Sequence, residues 1–187
     1  MADSVVDLHQ GGGNLAQNIL QQAPEGMLIA PAVKRLGAFI IDTLLITITL
    51  HFLTGQRLSV ALGDYSTFLS GLRGALFVLI NWLLFFASFW LYWKYTGKSF
   101  GRSLGQRVMR IALVHDNGTV LEDHHWGGRA AAKLVYLIPV VGLFFGFRDL
   151  VRCQSEKAEY RTSIDVKHHT VAAVDWSLPA DTRMKIR

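Results

Sequence analysis

The chain has 187 residues, of which 51% are hydrophobic and only 18% charged, with a positive mean hydropathy; that composition excludes an ordinary soluble domain of this size. A net charge of +5 comes without any basic run interleaved with aromatics, so nucleic acid is excluded as an expected partner, and anionic lipid heads are the natural counterpart of the basic residues. The single cysteine, Cys153, excludes an internal disulfide and a cysteine-based metal cluster.

The opening "MADSVVDLHQGGGNLAQ" places two acids where a signal peptide carries positive charge, and it lacks an apolar core. Residues 1–33 therefore read as a polar arm outside the bilayer, broken by Pro24 and Pro31 and ordered only where a partner holds it. Residues 36–53 follow as a first span, about 27 Å of helix against a hydrocarbon core of about 30 Å. Residues 75–95 form a second span interrupted only by Asn81 and Ser88. Trp90, Tyr92, Trp93 and Tyr95, with Lys94 and Lys98, give its far end the look of an aromatic belt with a basic flank. The two spans predict a helical hairpin.

Between Lys94 and Lys133 stand seven basic residues and three acids, whereas the loop between the spans carries only Arg57 and Arg73. The positive-inside rule puts the N-terminal arm and the 94–133 segment on the cytoplasmic or matrix side, which fits a bacterial or a mitochondrial inner membrane. Within that segment, residues 99–111 space Phe100, Leu104, Val108 and Ile111 at helical intervals, with Arg102, Arg107 and Arg110 elsewhere on the wheel. That pattern predicts an amphipathic helix in the interface whose three arginines contact anionic lipid heads. Asn117-Gly118 is a hairpin-turn signal between two short β-prone runs, and residues 169–176 supply a further strand.

The third apolar stretch, residues 130–147, contains Lys133, Pro139 and Gly142, which break or kink a helix, so it is expected to bend or re-enter. The expected fold class is an all-α membrane protein with a small extramembrane β element. Its membrane domain runs over residues 34–175, followed by a charged tail over 176–187.

Asp42 lies in the first span, where a carboxylate costs about 2.5–3.5 kcal/mol on insertion scales, so it needs a partner or water. Arg35, seven residues earlier, shares its stripe about 10 Å away along the axis. Arg107, Arg129 and Arg148, or Asn81 on the second span, are the candidate partners.

The stretch "RLGAFIID" (35–42) resembles the opening of the RDD family, small membrane proteins named for one arginine and two aspartates. "GRSLGQRVMRIALV" (101–114) is similar to that family's loop after its second span, through Gly101, Ser103, Leu104, Gly105 and Arg107. "GRAAAK" from Gly128 and "RTSIDVKHHTVAAV" from Arg161 resemble two later blocks. The resemblance covers roughly residues 33–175 and implies that the named trio is Arg35, Asp42 and Asp165. The closing block departs from the family pattern, with Ile164 standing where a glycine is usual and His168-His169 where an alanine-glycine pair is usual. The family implies a transport role, including cation/proton exchange for some members.

Arg35, Asp42, Arg107 and Asp165 are accordingly the candidate charge network, either an ion or proton site or a structural lock between the first helix and the interfacial one. "EDHH" (122–125) and "KHH" (167–169) carry metal-ligand chemistry, but adjacent histidines splay, so neither pair alone makes a site and no metal is expected. A site shared between His124 or His125 and His168 or His169 stays open, while His51 reads as an interface residue. With no phosphate loop, nucleophile elbow or metalloprotease motif, neither an enzyme nor a cofactor is expected. The expected partners are membrane lipids and either further copies of the chain or other membrane subunits, the last making it an accessory or assembly subunit.

Overall fold

The structure, a computed structural model, describes residues 6–7, 24, 26–55, 58 and 62–186. Most of the expected polar arm, with the glycines at 11–13, lies outside the described residues. Two helices are long and apolar enough to cross a membrane: α1, Ala32–Thr54, and a later one, Leu72–Phe100. α1 starts behind Pro31, whose ring suits the position before the first turn, and stops at Gly55 in the left-handed conformation. Of its 23 residues only Ala32, Ala38 and Asp42 are buried, so nearly all of its apolar side chains face outward. A short helix, α2 (Tyr65–Leu69), leads into α3 (Leu72–Phe100). Both spans run several residues beyond the stretches at 36–53 and 75–95 that apolar content alone marks out.

α3 ends where Gly101 takes φ 68° and donates its N–H to the Gly97 carbonyl. This turn replaces the single interfacial helix expected over 99–111. Ser103 instead caps a five-residue helix, α4 (Leu104–Val108), accepting from the Gln106 N–H while the Gln106 side chain bonds back to the Ser103 N–H. Strand β3 (Ile111–His115) follows, turning at Asn117-Gly118, where the Gly118 N–H reaches the His115 carbonyl at 2.9 Å.

β3 pairs antiparallel with β4 (Thr170–Val174), and β2 (Leu28–Ile29) lies on the other side of β4, with the two-residue β1 (Val6–Asp7) at the edge. Side chains leave alternate faces of a strand, and here both faces are covered. Ala112, Val114, Val171 and Ala173 pack with Met27, Leu178 and Ile186 on one side; Ile111, Leu113, Ala172 and Val174 pack with Ala38 and Trp126 on the other. Double burial explains why the sequence alternates poorly here. It also draws into the core residues that the sequence assigns to the polar arm and the charged tail. Met27, Ile29 and Ala30 are at most 3% exposed, and Thr182 bonds the Gly118 carbonyl at 2.9 Å.

The third apolar stretch is broken as Pro139 suggests. Helix α5 (Asp123–Lys133) runs into a 3-10 turn, Leu134–Leu137, and α6 (Val141–Arg152) leaves at 113° after a break at Val140, where φ is 64°. α6 exposes Leu143, Phe144 and Phe147 on one face and buries Asp149 on the other. The turn from α6 to β4 contains a last short helix before the sheet, α7 (Ser163–Lys167), and α8 (Ala180–Lys185) closes the chain.

Candidate functional site

Arg35 and Asp165, 130 residues apart, meet where the start of α1 crosses the sheet. The Arg35 Nη1 donates to Asp165 Oδ2 at 3.0 Å, its Nε to the Ala30 carbonyl at 2.9 Å and its Nη2 to the Ala172 carbonyl at 3.2 Å. Arg129, from α5, donates Nη2 to Asp165 Oδ1 at 2.8 Å and Nη1 to the Thr170 hydroxyl. Asp165 is the third residue of α7, and the Thr162 cap locks it from the backbone side. Burial by itself raises the Asp165 carboxyl, but the guanidiniums of Arg129 and Arg35 outweigh it and hold the group at about 2. The result is a buried ion triad binding α1, α5 and α7 to the sheet.

Asp42 has a different solution. Its Oδ1 accepts from the Tyr92 hydroxyl at 2.7 Å and the Gly105 N–H at 2.7 Å, and its Oδ2 from the Ser103 hydroxyl at 2.5 Å and the Trp93 indole N–H at 3.2 Å. The Leu104 N–H donates to the Tyr92 oxygen, and the Gln106 N–H to the Ser103 oxygen, so both hydroxyl protons are left to point at Asp42. Among the described residues four donors and no acceptor surround the carboxylate, which matches its acceptor-only ionised form. The donors come from α3 and α4, so this one side chain fastens both to α1. Such close approach needs Gly105: a Cβ there would lie 2.1 Å from the Ala38 carbonyl oxygen.

Between α1, α5 and α6 lies a cavity of about 400 Å³ whose wall includes both aspartates, Arg35, Arg129, Lys133 and Asp149 together with an apolar majority such as Phe39, Leu143 and Phe147. Asp149 accepts from the Ser163 hydroxyl at 2.6 Å and from the Tyr136 hydroxyl. Lys133 stacks its ammonium over the Trp93 ring at 5.1 Å, and among the described residues no acid stands within ion-pair distance of it.

The structure thus brings Arg35 and Asp165 together and seats Asp42 in a separate nest on the same cavity. Arg107 joins neither: its side chain is exposed on α4. The basic partners expected for Asp42 are corrected to neutral ones. Arg129 belongs to Asp165, Arg148 donates to the Ser163 hydroxyl at 2.8 Å, and Asn81 bonds its own helix at the Phe77 carbonyl. Of the three arginines expected to contact lipid heads, Arg107 and Arg110 are exposed, but Arg102 is 8% exposed and pairs with Asp175 at 2.9 Å, which removes it from that role. The aromatic belt is corrected as well: Tyr92 and Trp93 turn inward to Asp42, and Trp90 donates to the Gly127 carbonyl. Sequence reasoning used Lys133 only as a helix breaker and in the charge count that sets orientation, and it missed Asp149 altogether. The 107-residue separation of Asp42 and Asp149 offers no signal; only the i, i+4 spacing of Arg129 and Lys133 on α5 placed two cations on one face.

Comparison with known proteins agrees with the blocks in the sequence. Neither the curated proteins nor the solved structures contain a match to the chain. The profile of the RDD family matches residues 29–166, a stretch that holds both spans, the Asp42 nest, all of the cavity lining but Ala172, and the Arg35–Asp165–Arg129 triad. With most of its length matched and two helices apolar enough to span a bilayer, the chain belongs to the RDD family of integral membrane proteins.

Proposed function

We propose that the chain serves in transport, exchanging a small cation for protons across its membrane, with its 94–133 segment on the cytoplasmic or matrix face. The observation that carries this reading is Lys133, an ammonium in the wall of a mainly apolar cavity, sharing that wall with Asp42 and, among the described residues, with no acid at ion-pair distance. A lysine so placed sheds its proton more easily than one in water, and the cavity wall, left with one positive charge fewer, then draws in a cation. Return of the proton to Lys133 expels that cation. Two spans and a bent pair enclose little, so the pathway is completed by further copies of the chain.

In vesicles reconstituted with the purified chain, a cation gradient should drive proton flux, and Lys133→Met should lower that flux at least about tenfold while the exposed Arg110→Gln leaves it intact. Absence of flux with the unmodified chain, or full flux with Lys133→Met, overturns the proposal. Asp42→Asn should abolish flux too, but it also disturbs the fold, so Lys133 is the cleaner test.

A second reading, an accessory or assembly subunit, is favoured by one observation: every carboxylate oxygen of Asp42 and Asp165 is already engaged by protein donors, as suits charges that hold a fold together. Purification from native membranes in mild detergent separates the two. Migration only with other subunits supports the accessory role, and a homo-oligomer supports transport.

A further inference from the structure

Five of the seven histidines in the chain gather where the end of β3, the first turn of α5 and the turn before β4 meet. His124 and His125 have ring centroids 3.9 Å apart, and the His115 ring lies 5.0 Å from that of His125. Glu122 Oε2 is 3.2 Å from His124 Nδ1, and ligand atoms of Glu122, His124 and His125 all lie within 4.8 Å of one another. The His115 Nδ1 stands 3.4 Å from the His169 carbonyl, and the His168 ring packs against Gly128, one turn along α5.

An exposed glutamate beside a histidine is by itself an ordinary surface contact. Two things lift this cluster above that. Neighbouring residues on a helix project about 100° apart, yet these two rings lie nearly side by side. A further imidazole also converges from a different element, β3, so the group does not follow from one stretch of sequence. Nor does the position favour a positive charge unaided, because the start of a helix carries a partial positive charge; the carboxylate of Glu122 offsets it.

We propose that Glu122, His124, His125 and His115 form a binding site for a divalent transition-metal ion of the imidazole-preferring kind, such as Zn²⁺ or Ni²⁺. Three nitrogens and one carboxylate oxygen are a common donor set for such ions and a poor one for Mg²⁺ or Ca²⁺. Zn²⁺ takes these ligands at about 2.0–2.2 Å, closer than their present spacing, so the side chains must draw in around the ion. Glu122 and His124 can do so cheaply, since their side chains are 72% and 69% exposed. A bound ion would tie the start of α5 to the end of β3, bracing the helix that carries Arg129 and Lys133. The site differs from the pairing of His124 or His125 with His168 or His169 that the sequence leaves open: His115 is the partner, and His168 lies one turn away.

The test is Zn²⁺ titration of the full chain, purified in detergent without a polyhistidine tag, followed by calorimetry. One equivalent should bind saturably, Mg²⁺ should not compete, and His115→Ala with His125→Ala should weaken binding at least about tenfold, with His51→Ala as an unaffected control. In the unmodified chain, Zn²⁺ should also protect His124 and His125 from carbethoxylation as read by mass spectrometry, a measurement that does not depend on a variant folding. No saturable uptake, uptake unchanged in the double variant, or no protection overturns the proposal.

Discussion

Asp165→Asn is expected to be among the most damaging single substitutions in the chain, costing about 3–5 kcal/mol and read as a large fall in detergent melting temperature or in folded protein recovered from membranes. The carboxylate neutralises two guanidiniums whose side chains are 10% and 5% exposed, and removing its charge leaves both buried without compensation. Arg35 keeps its backbone carbonyl partners, but Arg129 has less to fall back on: among the described residues its Nε has no partner and only the Thr170 hydroxyl remains. Acid supplies an independent readout. Because the Asp165 carboxyl is held at about 2 against an ordinary 3.8, its contribution of about 2 kcal/mol is complete above pH ~4 and is lost as pH falls from about 4 to about 2. The variant should lack this part of the acid dependence. A melting temperature within a few degrees of the unmodified chain would show that the triad contributes little.

The triad also shows where reading the sequence succeeds. Arg35 and Asp165 stand out because they sit in the family's blocks, and the spans stand out because length and apolarity are enough to mark a membrane helix. The bend at Pro139 and the turn at Asn117-Gly118 follow from local backbone chemistry and need no knowledge of the rest of the chain. Partner choice is not legible in the same way. Tyr92 and Trp93 have apolar bodies and polar tips, so the residues that suit a headgroup belt are equally suited to reach a buried carboxylate. The basic stripe on 99–111 misleads for a related reason: helical spacing continues across Gly101, where the backbone turns, and Arg102 is thereby carried inward to Asp175. β2 is only two residues long and offers no periodicity, and its place in the core depends on β4, some 140 residues later. The histidine cluster lies at the same limit, since His115 and His125 come together only once the sheet has formed.

Gly105→Ala should cost about 3–5 kcal/mol, a large effect for a single methyl group on a five-residue helix. The added carbon would sit 2.1 Å from the Ala38 carbonyl oxygen and 2.8 Å from Asp42 Oδ1, and the first of these is backbone, so α4 as a whole must retreat from α1. Overpacking of this sort costs about 1–3 kcal/mol. Retreat also stretches the Gly105 N–H bond to Asp42, now 2.7 Å, and that of the Ser103 hydroxyl, now 2.5 Å, and hydrogen bonds to a charged group contribute about 1.5–3 kcal/mol each. Asp42→Asn attacks the same nest from the other side. Each carboxylate oxygen accepts two donors, so whichever way the amide turns, its NH2 group faces two more donors: an N–H that cannot accept, and a hydroxyl (Tyr92 or Ser103) that accepts only by turning its own proton away from the nest. Both substitutions remove one shared arrangement, so their costs should fall short of additive by at least about 1 kcal/mol in a double-mutant cycle of melting in detergent. Full additivity, or a Gly105→Ala chain that melts like the unmodified one, would mean that α1 and α4 do not approach this closely and that Asp42 is satisfied by something other than the turn that follows α3.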